Sequence, residues 1–377
     1  TRGYETMSME NIKGWHQGSA ARYLYVDDDQ GQYIDYFPTL DPFRYAGTTV
    51  DSQELTEIRN SAPTYSSFVG GVQIGGHRLD DGFYDAPEYA SWVQQLSSRD
   101  STMTAKLSWF VIGDVIVHLG ADIRGGSGAP VETIVENRAL KSDAARLLTI
   151  NGEPVAESAE PGWQATLDDV ASVHLPNAAG IVMLDRSAPV HFLHEEREGR
   201  FSDLSPDRGS DTLCRNAFHT IWVDHGPTPD GAAFGYLYLP LATAEQTAAL
   251  ASDPEVGVLE NSSRIQAVES RRLGLLAAHF HAAGTVRSGP YQVTGQQESA
   301  VMLREYGRGR GRLEIAVSEP TQDVERVEVT VVGPRLASAT VVASDPEVSI
   351  GRDGRRMRLS VDTSVPDGSS KHVWLDL

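Results

Sequence analysis

The sequence predicts an all-β fold built from antiparallel sheets. Short runs of Val, Ile, Leu, Tyr and Phe recur about every ten residues, with Gly, Pro, Asp and Asn between them, which is typical of β-sandwiches. No helical period is sustained long enough to form a helical domain, and we find no internal repeat. A chain of 377 residues is also too long for one ordinary core, so we expect at least two domains.

The strands of the longer first part are predicted from these apolar runs. Residues 109–119 indicate two strands joined by a turn at Gly113 and Asp114. In one further strand Phe234, Tyr236 and Tyr238 share one face. Such a stripe forms either half of a sandwich core or a platform for a sugar, and we favour the core. The further strands are predicted at 131–139, 179–184, 217–223 and 234–239.

Helices are predicted at only two places. Thr243 and Gln246 have the spacing of a capping box, in which each residue satisfies the other's backbone N–H at the start of a helix. Residues 86–96 are predicted as a second short helix.

The pattern divides the chain into two domains. Residues 1–283 are predicted to form a large central β domain, and 284–290 a linker rich in Gly, Ser and Pro. Residues 291–377 show clear alternation of apolar and polar positions, so we expect a smaller β-sandwich there with one solvated face.

Composition and charge exclude several classes of function. The formal net charge is −20 and the pI about 4.9, which argues against a nucleic-acid-binding protein, because such a protein needs a basic face. No run of 18 apolar residues exists, so no membrane-spanning helix is predicted. The one cysteine, Cys214, excludes an intrachain disulfide, and we expect a buried structural thiol.

For several other candidate sites we prefer a structural role or a solvated surface position to a functional role. His279 and His281 share one face of a strand, and His191 and His194 lie near glutamates, but neither pair has a full set of metal ligands at a familiar spacing. Asp224-His225 lacks a nucleophile of the Gly-x-Ser-x-Gly form. Basic clusters at 308–312 and 352–358 are expected to be solvated turns. We therefore predict no metal site and no cofactor.

The beginning of the chain is dense in aromatic and charged residues placed between Gly and Pro, as expected of a site rim. Together with several later segments in the same order, it resembles polysaccharide lyase family 8, the hyaluronate, chondroitin AC and xanthan lyases. The segments are 4–16, 23–25, 38–51, 106–110, 119–123, 132–138, 224–226 and 316–322. Because the chain begins directly on this motif and without Met, we expect it to be part of a longer protein.

The resemblance implies a large super-sandwich, a small C-terminal β-sandwich and an α-helical domain that this chain does not contain. It also implies a reaction: the C5 proton of a uronate is removed and the C4 oxygen leaves, without a cofactor. Most groups that remove the proton and neutralise the carboxylate come from the helical domain in this family. The whole protein is then expected to be bacterial, secreted and extracellular.

Only a few site residues carry over to this chain. Tyr4 to Asn11 is similar to the family's Tyr-Glu-Ser-x-Asn-x-Glu-Asn, which gives Glu5 a catalytic role in orienting a His or Arg by charge-assisted hydrogen bonding. Ser8 stands where the family has Asn, and a hydroxyl reaches less far than an amide.

Four residues are predicted to bind substrate: Arg2, Ser8, Asn11 and Phe68, the last because an aromatic residue precedes the Gly-Gly of related lyases. The alternatives are a surface carboxylate for Glu5 and a buried ring beside a β-bulge for Phe68.

We therefore predict the β portion of a lyase that cleaves hyaluronan or chondroitin. Its predicted partners are an acidic polysaccharide and the N-terminal α-helical catalytic domain, with no nucleic acid and no membrane. Because these polysaccharides are polyanions and the chain is acidic, either basic groups lie elsewhere or a few arginines act locally. Xanthan as substrate, or a carbohydrate-binding module without catalysis, stay open as alternatives.

Overall fold

The architecture is known for most of the chain, and β-strands dominate it. The computed structural model describes residues 4–8, 20–24, 37–41, 44–52, 64–75, 77–78, 84–85, 88–98, 102–140, 143–204, 209–307, 311–364 and 368–377. The chain divides into two compact units. Unit 1 comprises Thr1–Ser66, Leu96–Ala105 and Ile123–Asp253, and unit 2 comprises Ser67–Gln95, Lys106–Asp122 and Pro254–Leu377.

Strands are numbered β1 to β31 in chain order. They span Tyr4–Ser8, Ala20–Leu24, Thr49–Asp51, Thr64–Gly70, Gln73–Ile74, His77–Arg78, Tyr84–Asp85, Tyr89–Ser98, Thr104–Ile112, Val115–Arg124, Val131–Leu140, Leu148–Ile150, Glu153–Val155, Gln164–Leu167, Ser172–Leu175, Ala179–Met183, Val190–Gly199, Cys214–Asp224, Asp230–Pro240, Gly257–Asn261, Ile265–Ser270, Leu275–Phe280, Gly284–Ser288, Tyr291–Gly295, Ser299–Tyr306, Arg312–Ser318, Arg326–Val332, Thr340–Ser344, Val348–Asp353, Arg356–Asp362 and Lys371–Asp376. The helices are α1 (Phe201–Leu204), α2 (Ala244–Ser252) and short 3₁₀ turns at Phe37–Thr39, Asp143–Arg146, Ala156–Ala159 and Pro334–Ala337.

Unit 1 contains two runs of hydrogen-bonded strands and an N-terminal pair. One sheet has the order β14-β17-β18-β11-β3, and another run follows the order β13-β12-β15-β16-β19. Strands β1 and β2 pair antiparallel with each other. Strand β11 is buried on both faces along nearly its whole length, so its polar residues must find partners inside the unit.

Helix α2 begins as the sequence predicts. The Thr243 hydroxyl accepts from the Gln246 backbone N–H, and the Gln246 side chain accepts from the Thr243 backbone, which completes the capping box. The helix lies close to β16: a Cβ on Gly180 would lie 2.2 Å from the Thr247 hydroxyl oxygen, so only glycine fits there.

Unit 2 stacks three layers of strands. The middle layer is a sheet of order β20-β21-β22-β25-β26-β31-β28, and a sheet of order β23-β24-β27-β30-β29 packs on one of its faces. The other face of the middle sheet meets β8 and β9, where His279 contacts the Ser91 and Ser108 hydroxyls. Strands β10, β9, β8 and β4 are neighbours in that order.

The core of the C-terminal sandwich follows the period-2 alternation of its strands. Val327, Val329 and Val331 point inward from β27, while the residues between them are only partly buried. The five-stranded sheet thus has the solvated face that the sequence predicts. In the middle sheet, β25 and β26, which also lie within 291–377, are instead buried on both faces over most of their length.

Most strand predictions are confirmed, including the pair β9 and β10 around Gly113 and Asp114. Cys214 is a buried free thiol, and Phe234, Tyr236 and Tyr238 are buried in the core, as we favoured. The helix predicted at 86–96 is wrong, since Tyr89–Ser98 forms β8.

The predicted linker at 284–290 contains the strand Gly284–Ser288, which forms a hairpin with β24. The domain boundaries as a whole stay a prediction. Within the described ranges, no helix is long and apolar enough to span a membrane.

Candidate functional site

The structure places the backbone of three predicted site residues. Glu5 and Ser8 lie on β1, opposite Tyr23 and Ala20 of β2. Phe68 lies on β4. Arg2 and Asn11 lie outside the described residues. The roles of all five stay predictions.

The Gly-Gly pair after Phe68 is required by close packing. A Cβ on Gly71 would lie 1.8 Å from the Ser91 carbonyl oxygen, and one on Gly70 would lie 2.9 Å from the Pro320 Cα. Real side chains cannot approach that closely, so both positions need glycine. The chain after Phe68 is therefore held at a fixed place in unit 2.

In unit 1, the segment 44–52 is attached to the central sheet by a bidentate ion pair. The Arg44 guanidinium donates to both oxygens of Glu132, at 3.0 and 2.9 Å, and stacks over the Trp222 ring with 4.5 Å from Cζ to the ring centroid. Ser52 donates to the same carboxylate at 2.9 Å. Such a fork fixes orientation as well as distance.

Asn137 attaches the same segment at a second point. Its side-chain nitrogen donates to the Arg44 carbonyl oxygen, and its side-chain oxygen accepts from Arg197 at 3.1 Å. Arg197 also binds Glu195 and lies over the Phe218 ring. The amide thus links segment 44–52 to β11 and β17 in one network.

The Gly-Thr-Thr-Val-Asp part of the segment completes the attachment. Gly47 has φ +82°, which favours glycine, and Thr49 shares a hydrogen bond of 2.9 Å with Thr133. Asp51 accepts from both the backbone N–H and the hydroxyl of Ser127. Segment 44–52 therefore has a defined place on the sheet of unit 1.

Comparison with known proteins accounts for this combination of motifs. A model of the super-sandwich domain of polysaccharide lyase family 8 matches residues 1–251, and a model of the family's C-terminal β-sandwich domain matches 257–328. The chain belongs to polysaccharide lyase family 8. The family resemblance and the all-β fold predicted from the sequence are thereby confirmed.

Curated relatives include a hyaluronate lyase of Thermasporomyces composti, 33% identical over 381 residues that cover 100% of this chain and 46% of the relative. A xanthan lyase of Bacillus sp. (strain GL1) is 34% identical, over 99% of this chain and 38% of the relative. The chain thus spans less than half the length of these relatives.

Solved structures of the family are similar throughout. A Paenibacillus xanthan lyase matches with a TM-score of 0.83 and 31% identity, over 99% of this chain and 34% of that one. A chondroitin AC lyase of Streptomyces coelicolor A3, solved with chondroitin sulphate, matches with a TM-score of 0.75 and 31% identity, over 97% and 44% of the two chains.

Among the described residues of unit 2, a tyrosine and a histidine that could act as acid or base share one carboxylate. Tyr306 donates to Glu314 at 2.6 Å, and His372 Nδ1 lies 2.9 Å from the other oxygen of the same carboxylate. Burial raises the pKa of the Tyr306 hydroxyl, and the hydrogen bond to Glu314 raises it further. Because Tyr306 stays protonated and His372 is fully buried, this set ties β25, β26 and β31 together rather than removing a proton.

Among the described residues, two buried histidines are held by hydrogen bonds within the fold. Both ring nitrogens of His279 are hydrogen-bonded to serine hydroxyls, at 2.8 Å each, and His194 bonds the Ser158 carbonyl. Burial lowers the pKa of His281 to about 3 and that of His225 to about 4, so these rings are neutral. No cluster of three or more His, Cys, Asp or Glu suited to a metal ion is found among the described residues.

Sequence reasoning missed the residues that hold these elements in place. Arg44 and Glu132 are 88 positions apart, and Tyr306 and His372, from distant strands, share Glu314 as a partner. No local pattern distinguishes these charged residues from solvated ones. The one available signal was polar residues within the strongly apolar run at 131–140, which require buried partners.

Proposed function

We propose that this chain is the β portion of a lyase that cleaves hyaluronan or chondroitin by β-elimination. The observation that carries the proposal is the family match over residues 1–251 and 257–328, together with the Tyr4–Ser8 motif on β1. The relatives named above are lyases of hyaluronan, xanthan and chondroitin.

In the proposed reaction a base takes the C5 proton, the C–H electron pair forms the C4=C5 double bond, and the C4–O bond breaks. The leaving oxygen takes up a proton, so the products are an unsaturated uronate and a new sugar hydroxyl. The carboxylate beside C5 must be neutralised for this step. We assign these duties to an α-helical domain, and to Glu5 the orientation of one of its basic groups by a charge-assisted hydrogen bond.

Two features support a positioning role for this chain. Segment 44–52 is attached to the sheet through Arg44, Glu132 and Asn137, which places the chain that follows β1 and β2 at a defined position. The tyrosines with raised pKa, such as Tyr306 and Tyr89, are donors rather than bases. A base supplied from another domain is consistent with both.

Xanthan is the second candidate substrate. The Bacillus xanthan lyase is as similar in sequence as the hyaluronate lyase, and the Paenibacillus xanthan lyase has the higher TM-score of the two structures described above. Because all three polymers are too large to enter a cell, we propose that the enzyme works outside it.

The test is reconstitution. The chain is assayed alone and after mixing with the α-helical part of a family 8 lyase, on hyaluronan, chondroitin and xanthan, by the ultraviolet absorbance of the unsaturated uronate. We expect product from the mixture and none from the chain alone. Full activity of the chain alone would refute the role assignment, and a mixture inactive on all three polymers would refute the function.

Glu5→Gln tests the assigned carboxylate. We expect a loss of kcat of about a hundredfold, with KM changed less than about threefold, because the group acts on catalytic orientation. The matched control is Glu198→Gln, an exposed glutamate of β17 whose side chain is 60% exposed, and it should leave both constants unchanged. Equal kcat and KM values for the two variants would show that Glu5 has no role in catalysis.

A further inference from the structure

A cleft of about 560 Å³ lies in unit 2 where three chain turns meet. The turn between β21 and β22, the turn between β23 and β24, and the end of β25 form its walls. Its volume lies in the range of sites that bind small ligands. The lining includes Ser270, Arg271, Arg272, Tyr291, Arg304 and Tyr306.

Two polar groups in the lining are buried without a partner. Ser270 is fully buried, and its hydroxyl has no hydrogen-bond partner among the described residues. The Nε of Arg304 is buried and unpartnered in the same sense. Because buried polar groups in proteins are almost always satisfied, these two atoms are candidate donors to a ligand that binds in the cleft.

The Arg304 side chain is held rigidly. Its guanidinium lies between the rings of Tyr89 and Tyr306, at 4.5 and 4.2 Å from their centroids, and it forms an ion pair with Glu88. The Tyr306 ring is itself fixed by its hydrogen bond to the buried Glu314. A preorganised cation of this kind binds an anion with little loss of conformational entropy.

The charge balance around the cleft suits an acidic ligand. Four arginines each form an ion pair with one carboxylate, so the cleft is locally neutral in a chain of net charge −20. A guanidinium has five N–H donors and its carboxylate partner uses at most two, so donors are left for a ligand. The pairs are Arg271 with Glu269, Arg272 with Glu255, Arg304 with Glu88, and Arg335 with Glu305.

A second, larger cleft shares Tyr306 and Gly307 with the first one, but acidic residues outnumber basic ones in its lining, whereas the lining of the first has three arginines, Arg271, Arg272 and Arg304, against Glu305. The charged lining of the second cleft contains Glu88, Glu314 and Asp376 against one arginine, Arg312. An anion would be repelled there. Of these two clefts, the one beside Ser270 is therefore better suited to an acidic ligand.

We propose that the cleft beside Ser270 binds a uronate-containing oligosaccharide, with the carboxylate at Arg304 and Arg272 and a sugar hydroxyl or ring oxygen at Ser270. The ligand class rests on the proposed function. A polymer held at this site is kept near the protein between encounters, which raises its effective concentration.

The test is calorimetric titration of the 377-residue chain with a hyaluronan hexasaccharide, with neutral chitohexaose and with inorganic sulfate. We expect binding of the hexasaccharide only. Ser270→Ala should weaken it about fivefold or more through the lost hydrogen bond without lowering the melting temperature, because the hydroxyl has no partner in the protein.

Arg272→Ala should weaken binding similarly and reduce its salt dependence. Arg272 is 61% exposed, so its removal should not affect folding. The matched control is Arg215→Ala, an ion-paired arginine of unit 1 that is 70% exposed, and it should leave binding unchanged.

Three results would overturn the proposal. They are no binding of the hexasaccharide, binding that neither Ser270→Ala nor Arg272→Ala weakens, and equal binding of chitohexaose or sulfate. The outcome is separable from that of the reconstitution assay. Binding in the titration without elimination in the reconstitution assay would support this site and refute the lyase function. Elimination without binding would support the lyase function and refute this site.

Discussion

Strands β11 and β22 are both buried on both faces, but they bury opposite kinds of side chain. Strand β22 carries leucine, alanine and Phe280 with one histidine, while β11 carries Glu132, Glu136, Asn137 and Arg138. Buried apolar side chains stabilise a fold whichever apolar side chains they contact. Each buried charge, in contrast, requires a specific partner of opposite charge or a hydrogen-bond partner. Strand β22 therefore contributes mainly stability, and β11 mainly fixes the position of segment 44–52.

The charges of β11 illustrate how the position is fixed. Glu136 accepts from the Tyr238 hydroxyl at 2.7 Å and from the Asn137 backbone N–H at 2.9 Å, and Glu132 accepts from Arg44 and Ser52. Both carboxylates would be costly to bury alone. An alternative placement of segment 44–52 would leave Glu132 unpaired, which disfavours it.

The largest effect is expected from truncating the apolar strand. Phe280 is fully buried, and a Cβ on Gly295 would lie 2.7 Å from its ring, so the two sheets of the sandwich meet there closely. Phe280→Ala should lower the free energy of unfolding of unit 2 by about 3 to 5 kcal/mol. Denaturant unfolding with hydrogen exchange of the β22 and β25 amides measures it.

Val342→Ala is the control for Phe280→Ala, since Val342 lies on β28 of the same sheet and is 49% exposed. It should change stability by less than about 0.5 kcal/mol. A loss below about 1 kcal/mol in Phe280→Ala would contradict the role given to β22.

Removing the carboxylate from β11 should have a smaller and more local effect. Glu132→Ala removes the carboxylate that accepts from Arg44 and Ser52, and because the Arg44 side chain is 20% exposed, we expect a cost of about 2 to 3 kcal/mol. Hydrogen exchange should rise in segment 44–52 before it rises in β17 or β18.

A double-mutant cycle with Arg44→Ala isolates the pair. Because the two side chains interact mainly with each other, the double variant should lose less than the sum of the single losses. Additive losses, or uniform exchange throughout unit 1, would mean that the ion pair does not position the segment.

The sequence predicted the strands much better than their partners. Apolar runs and turn residues located β9, β10, β11 and β18, because each depends on its own few residues. The segment 86–96 was wrongly predicted as helix, since Ala, Glu and Gln favour helices, but neighbouring strands override propensity in a sheet.

The candidate site was predictable only through the resemblance of 4–11 to a known motif. Nothing local marks Glu5 as different from a surface carboxylate, and the cleft beside Ser270 forms only when three places within 270–307 fold together. The pairs Arg44 with Glu132 and Arg304 with Glu88 join residues separated by 88 and 216 positions. Such contacts follow from the topology and not from any window of sequence.

The smallest expected effect is a dependence on pH in the sheet that contains β11. His219 on β18 is fully buried, and burial lowers its pKa from 6.5 to about 4. Its Nε2–H donates to the Arg146 carbonyl at 2.7 Å, and the nearby His194 and Arg146 disfavour a second positive charge. The unfolded chain therefore binds a proton at higher pH than the folded chain does.

The stability from neutral His219 is complete above pH 6.5 and declines as the pH falls from 6.5 towards about 4. Between about pH 7 and pH 5 the loss should be just under about 2 kcal/mol. His219→Gln keeps an N–H donor for Arg146 but cannot be protonated, so its unfolding free energy should fall less over the same interval. Denaturant midpoints at several pH values, referred to pH 8 for each protein, measure the difference. Parallel curves for the two proteins would show that His219 is not the group that makes this sheet sensitive to acid.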